Sequence, residues 1–427
     1  MELIQYVGFV VLIFLFLLGT PLAVAFSVGS IIIMIFSMGF PVPNVAQLFF
    51  STINSYTLLA MPFFILAGNL LLRGGGMVPL RNFMNAMVGH WPGGMAVATI
   101  IFASFLGSIS GSAAACLAII GTVVVPILVQ SGYDRPFASG LTVTAAELGM
   151  LIPPSLFFIL FGAYNRVSIA DLFMAGVGPG ILSAFLMSIV AIFISKRRKY
   201  TTRENASWAE KRKTLIAVIP LIIMPFIVLG GIYSGIFSPT QAASVSVFYA
   251  IVLGALIYRE LTWQGFMESL VDTCKLSSMI YIMFIGGDLF GKVMGYIGLP
   301  QLITDMVIAM ELGPLGFLLA VEVMLLVMGL FFSSIPMVII VLPLFMPSVI
   351  ELGIDPVYYG CLAILCSLIG EITPPIGPQL WIAAPICNEK MGNIAREAWP
   401  FLGAQVLALF LSTFIPGIVM WLVYLMR

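Results

Sequence analysis

Gly149-Met150-Leu151-Ile152-Pro153-Pro154 returns 221 positions later as Gly370-Glu371-Ile372-Thr373-Pro374-Pro375. The same spacing relates Pro126, Gly132 and Asp134 to Pro347, Gly353 and Asp355, and Ser112 to Ser333. Upstream, Ala67-Gly68-Asn69-Leu70 matches Gly286-Gly287-Asp288-Leu289, and downstream Asn165 and Asn388 open similar segments. Several motifs in one register mark an internal duplication. Each double proline removes backbone donors and clashes with the preceding helical turn, so each copy carries a broken helix.

The medium around these breaks follows from composition. Hydrophobic residues make up 61% of the chain and charged residues 8%, with a mean hydropathy of +1.15. A soluble domain carries about 25% charged residues, so most of this surface must face lipid. Apolar runs lie at about 3–18, 20–38, 50–72, 94–130, 136–163, 171–195, 214–232, 239–258, 270–293, 315–350, 356–385 and 398–426. Unbroken runs of this kind exclude a β-barrel, whose strands alternate in polarity. The expected fold class is an all-α polytopic membrane protein.

Several functions are excluded at the same stage. A net charge of zero gives no signal for nucleic acid. The five cysteines are scattered in apolar segments and read as small buried hydrophobes. His90 is the only histidine, too little for a His-based metal site or proton relay. Nothing points to an enzyme. The stretch Met1–Gln5 has no basic region and no cleavage signal follows, so Ile4–Leu18 reads as a retained helix.

The densest basic cluster, Lys196, Arg197, Arg198, Lys199, Arg203, Lys211, Arg212 and Lys213, marks loop 196–213 as cytoplasmic. Arg166 and Lys292 run against that rule. The 94–130 run breaks at Gly107-Ser108-Ile109-Ser110-Gly111-Ser112, two short arms around a small polar tip. A re-entrant hairpin fits better than two spans. Residues 1–195 then form repeat one, with hairpin 94–130 and broken helix 136–163, and cross five times. Residues 196–213 are the linker. Residues 214–427 form repeat two, with hairpin 315–350 and broken helix 356–385. Five crossings is an odd number, so the repeats are inverted and both termini are periplasmic. Inverted repeats with discontinuous helices are a recurrent design of secondary transporters.

Freed carbonyls and hydroxyls are hard oxygen ligands suited to Na⁺, and nearby helix N-termini suit a carboxylate. Two quasi-symmetric Na⁺ sites are expected. One combines Ser108, Ser110 and Ser112 with Gly149 and Pro153; the other combines Ser333 and Ser334 with Gly370, Thr373 and Pro374. The substrate is expected between them, against Ser110, Gly111, Pro154, Ser155, Ser334, Pro375 and Gly377. The plain alternative is that these small residues only pack helices together. Glu147, Asp288, Glu322 and Glu371 are intramembrane carboxylates and so functional candidates. Glu147 and Glu371 do not correspond, since Glu147 aligns with Leu368 and Met150 with Glu371. Each is expected to orient its broken helix by bonding freed backbone donors. Asp134 and Asp355 are expected to cap helices. Segments 77–90 and about 298–312 look amphipathic and too short to span, as interfacial arms would.

The chain resembles, over essentially its whole length, the large membrane (M) subunit of tripartite ATP-independent periplasmic (TRAP) transporters. The residues that carry this are Phe63-Phe64-Ile65-Leu66-Ala67-Gly68, Ser110-Gly111-Ser112-Ala113-Ala114, Pro153-Pro154-Ser155, Ser168-Ile169-Ala170-Asp171-Leu172-Phe173 with Gly178-Pro179-Gly180, Gly235-Ile236-Phe237-Ser238-Pro239-Thr240-Gln241-Ala242-Ala243, and Thr373-Pro374-Pro375-Ile376-Gly377. Ser238 stands where Thr is usual and Gln241 where Glu is usual. The resemblance implies Na⁺-coupled uptake of a small organic acid across a bacterial inner membrane by an elevator motion. Sialic acid is favoured, then a C4-dicarboxylate. It implies a periplasmic substrate-binding protein and a small four-helix membrane subunit, expected as a separate chain. A proton-coupled carboxylate transporter and a channel are the alternatives.

Overall fold

The computed structural model describes the backbone of residues 2–88, 90–110, 113–200 and 206–426. It describes their side chains except at 2–6, 85, 108–110, 114, 115 and 119. The described residues are almost entirely helical and include no strand. Helices of the first half are α1 (Glu2–Leu17), α2 (Leu22–Ile32, ending in a π turn, Ile33–Ser37), α3 (Val42–Ile53), α4 (Ala60–Arg73), α5 (Met77–Val88), α6 (Gly94–Ser110), α7 (Ala113–Gln130), α8 (Arg135–Leu151), α9 (Leu156–Asn165) and α10 (Ile169–Arg197). The second half holds α11 (Trp208–Tyr233), α12 (Pro239–Val252, ending in a π turn, Leu253–Ile257), α13 (Trp263–Tyr296), α14 (Leu299–Ala309) and α15 (Pro314–Gly329). It continues with α16 (Ser334–Pro336), which runs on through Met337–Phe345 into α17 (Met346–Glu351), then α18 (Pro356–Glu371), α19 (Pro378–Cys387), α20 (Met391–Phe414) and α21 (Pro416–Met426).

Local chemistry sets many of the starts. Ser168, Ser207 and Ser238 each accept a hydrogen bond from the backbone three residues on. At Ser238 this is a full capping box, in which the Gln241 side chain accepts from the Ser238 N–H at 2.8 Å. An amide oxygen serves there, so Gln241 keeps the box without a charge. Asp355 caps α18 by accepting from the Val357 N–H at 2.7 Å. Asp134 does not cap α8: its carboxylate accepts from the Tyr200 hydroxyl at 2.7 Å and lies 3.6 Å from Arg198.

The two halves are antiparallel. The start of α8 touches the end of α19, where Arg135 donates to the Cys387 carbonyl at 3.1 Å. The end of α9 meets the start of α18, where Phe161 packs on Tyr359. The cross-contacts are mirrored. A Cβ on Gly140 would press on Glu397 and Ala398 of α20, and Cys361, one repeat later, meets the Ala175 carbonyl of α10. These exchanges are what a two-fold relation produces.

Both hairpins enter and leave on one side. Gly93, before α6, lies against Ile192 and Ser195 of α10, and Tyr133, after α7, stacks near Tyr200 at 4.5 Å. In the second half Pro314 and Ile354, before and after the hairpin, share a cavity with Phe414 and Pro416 at the far end of α20. The re-entrant geometry expected for 94–130 is therefore present in both halves.

Among the described residues six helices are long and apolar enough to cross a membrane, or up to eight if each bent pair is one span. One of the six, Ser334–Glu351, is the second hairpin arm, so length alone does not separate a span from a re-entrant arm. Three readings change. Residues 39–48, which fall between two of the apolar runs, contribute to α3, because Pro43 fits a first helical turn; a 56° bend then separates α3 from α4. The matching part of the second half is the single 34-residue α13. The last run, 398–426, is divided at Ile415 before Pro416. Segments 77–90 and 298–312 do form short helices, α5 and α14.

Candidate functional site

Each hairpin meets its broken helix backbone to backbone. A Cβ on Gly107 would lie 2.4 Å from the Gly149 Cα, and one on Gly329 would lie 2.5 Å from the Gly370 Cα. No side chain fits either place, which is why glycine occupies all four positions. The breaks follow immediately. Pro153-Pro154 and Pro374-Pro375 are both cis peptides, and α9 and α19 resume at Leu156 and Pro378. So the structure brings Gly149 against the first hairpin, with Pro153, Pro154 and Ser155 in the break that follows it. It brings Gly370 against the second hairpin, which carries Ser333 and Ser334, with Thr373, Pro374, Pro375 and Gly377 in the break that follows. Gly111 and Ser112, and the side chains of Ser108 and Ser110, lie outside the described residues.

The second site has a carboxylate at its centre. Glu371 Oε2 accepts from the backbone N–H of Ser334 at 3.1 Å and from its hydroxyl at 2.5 Å. Glu371 Oε1 accepts from the Gln379 amide at 3.1 Å. Glu371 was expected to serve its own helix; it ties the hairpin tip to the break instead. Because the Ser334 hydroxyl donates to Glu371, only its oxygen lone pairs remain for another partner. Thr373 likewise donates to the Ile369 carbonyl at 2.7 Å and keeps its lone pairs. Pro375 and Ile376 are exposed, so this break opens on free space.

The first site is closed. Pro153, Pro154 and Ser155 are buried, and Ser155 donates to the Met150 carbonyl at 2.5 Å. Glu147 is 1% exposed, and its Oε2 has no hydrogen-bond partner among the described residues. Glu147 and Glu371 come from non-matching positions of the two repeats. Glu322 accepts from Thr413 at 2.6 Å, away from either break. Asp288 accepts from Lys292 and Thr52, each at 2.5 Å. Among the described residues no cluster of three metal-type side chains exists, which leaves carbonyl and hydroxyl oxygens as the donors at the breaks. Those donors fit Na⁺ by their hardness.

Sequence reasoning missed Gln379. Its only signal is a polar residue in the first turn after a break. It also missed the latch between Ser334 and Glu371, which are 37 positions apart.

Residues 9–418 match the model of a family described as tripartite ATP-independent periplasmic transporter, DctM component. Among curated relatives, the isethionate TRAP transporter permease protein DctMQ of Oleidesulfovibrio alaskensis is 32% identical over 94% of this chain and 64% of that protein. This chain therefore spans under two thirds of that relative's length. The C4-dicarboxylate large permease DctM of Vibrio cholerae is 33% identical, covering 97% of this chain and 96% of the relative. The sialic acid large permease SiaM of the same organism is 33% identical, covering 93% of each. Among solved structures, the YdaH transporter of Alcanivorax borkumensis aligns with a TM-score of 0.61 at 14% identity, over 89% of this chain and 87% of that one. At that identity the likeness is one of fold.

Proposed function

The chain belongs to the tripartite ATP-independent periplasmic transporter family as its DctM component, and on that premise we propose that it drives uptake of a small organic acid with an inward Na⁺ gradient. A periplasmic binding protein delivers the acid, and a small membrane subunit accompanies the chain in the bacterial inner membrane. Na⁺ binds at the two breaks: at Gly149 and Pro153 with the first hairpin tip, and at Gly370, Thr373 and Pro374 with Ser333 and Ser334. The acid sits between them, facing the open Thr373–Gly377 loop. The hairpins and broken helices (α6–α9 and α15–α19) move as one body against α1–α4 and α11–α13.

The observation that carries this reading is the duplicated contact of Gly107 on Gly149 and Gly329 on Gly370. It supports two sets of oxygen donors in an inverted pair, the arrangement that lets one site face either side. Relatives named for a C4-dicarboxylate and for sialic acid are equally similar at 33%, and one named for isethionate, a sulfonate, is 32% identical, so the three share an organic anion, of which sialic acid is one. Both termini lie outside in this topology.

The test is uptake into liposomes holding this chain with its small subunit and binding protein. Uptake is expected to rise with an inward Na⁺ gradient and to require the binding protein. Transport indifferent to Na⁺ overturns the reading. A proton-driven version is favoured by one observation, that Oε2 of the buried Glu147 has no hydrogen-bond partner among the described residues. Under the Na⁺ reading Glu147→Gln retains gradient-driven uptake; under the proton reading it loses it.

A further inference from the structure

A second polar cavity lies away from both breaks. The bend between α3 and α4, the end of α9 and the outer part of α13 enclose about 380 Å³, within the range of small-ligand pockets. Its position is outer. Arg73 pairs with Glu268 and Asp272 near the cytoplasmic end of α13, and the cavity is reached about 24 Å further along, at Asp288, by the 1.5 Å rise of 16 residues. Arg166 also precedes α10, which descends to the basic cytoplasmic cluster.

The wall carries three charges, Arg166, Asp288 and Lys292, and hydroxyls including Thr52 and Tyr164. Asp288 is neutralised by Lys292 and bonded by Thr52. Arg166 has no carboxylate within ion-pair distance among the described residues. The cavity therefore has one cation in excess, and that cation is a guanidinium. Its geometry matches a carboxylate with two parallel hydrogen bonds. The site is also built: Arg166 is held by a left-handed backbone at the end of α9 (φ 58), and Tyr164 donates to the Gly287 carbonyl of α13 at 3.3 Å. Through α9, ten residues long, Arg166 is about 15 Å from the first break.

We propose that this cavity is an outer receiving site for the carboxylate of the organic acid, held by Arg166 with Lys292 beside it, before the acid reaches the breaks. The proposal rests on the organic-acid reading above. Arg166 binds the carboxylate, Lys292 adds long-range attraction, and Asp288 keeps the empty cavity from holding two unpaired cations.

The test reads binding without transport. The full chain with its small subunit, in Na⁺-free liposomes, is acylated from outside with a membrane-impermeant amine reagent, and modification of Lys292 is followed by peptide mass spectrometry. Succinate, N-acetylneuraminate and acetate are the probes, with glucose as the neutral control. A bound carboxylate slows labelling by the factor 1 + [L]/Kd, about threefold at twice Kd. At least one acid is expected to protect and glucose is not. Arg166→Gln is expected to abolish protection while Lys292 still labels at the unprotected rate, and Arg166→Lys to restore part of it. Absence of protection by every acid, or equal protection in Arg166→Gln, overturns the proposal. Protection without Na⁺-driven uptake would leave the cavity standing and remove the transport reading; Na⁺-driven uptake without protection would do the reverse.

Discussion

The two hairpins grip their broken helices with the same glycine pair and then diverge within one helical turn. In the second half, Glu371 bonds the Ser334 backbone, the Ser334 hydroxyl and Gln379, and the break beyond it is exposed. In the first half, Met150 stands where Glu371 would be, Glu147 lies one turn earlier with no partner on Oε2 among the described residues, and the break is buried. The difference separates two jobs that one repeat could not do. The glycine contact sets where a tip sits; the carboxylate latch decides whether it stays there. Among the described residues the carboxylate latch belongs to the second break, which is open, while the first break is closed.

The strongest way to break this comparison is to remove what the halves share. Gly149→Val and Gly370→Val each place branched carbons where a Cβ would already lie within 3 Å of the facing backbone. Each is expected to abolish uptake, with a destabilisation of about 3 kcal/mol or more from overpacking. Thermal unfolding of the purified chain measures the latter. A tolerated valine in only one half would show that the contact is not equivalent.

The latch gives the next largest effect, and it should be one-sided. Glu371→Ala removes the acceptor of three hydrogen bonds in a buried site, an expected loss of roughly 3 kcal/mol in thermal stability. Glu147→Gln keeps the shape of the side chain and, among the described residues, has no hydrogen bond to lose at Oε2, so its stability is expected to stay within about 1 kcal/mol. Equal losses would erase the distinction between the halves.

On the proposed cation role, Thr373→Ala and Ser112→Ala each raise the Na⁺ concentration for half-maximal uptake. One lost oxygen ligand is worth about 1–2 kcal/mol, roughly tenfold. An unchanged Na⁺ dependence in both moves the cation elsewhere. The smallest effect lies outside the membrane, where Tyr200 donates to Asp134 and Arg198 bridges Asp134 to Glu397. Burial pushes the Tyr200 phenol up to about 12. Its folded-state value lies above the usual 10, so its contribution is full below pH 10 and is lost as pH rises toward 12. Tyr200→Phe is expected to cost under about 1 kcal/mol and to flatten stability over that alkaline window in a denaturation series.

Much of the architecture was legible because it depends on spacing. One register of 221 positions located both breaks, both hairpins and the inversion. What was not legible depends on which side chain turns toward which. Ser334 and Glu371 are separated by a hairpin arm and a helix, and no periodicity relates them. Glu147 and Glu371 sit off register, so symmetry gave no pairing for either. Arg166 and Lys292 entered only as exceptions to the charge rule; the fold shows them sharing a cavity. The extra helix α3 was hidden by Pro41 and Pro43, which read as loop signals although proline also opens helices.

The length of α13 has a consequence for the bilayer. Its 34 residues extend about 51 Å, beyond the roughly 30 Å of hydrocarbon. Yet Lys275 and Asp288 bound an uncharged stretch, Leu276–Gly287, that rises only about 18 Å. Hydrophobic mismatch of that size is met by thinning of the lipid or by water reaching in along the helix. α13 therefore gauges the depth of the insulating layer around the protein. A thinner layer there shortens the distance a cargo must be carried between the two aqueous phases.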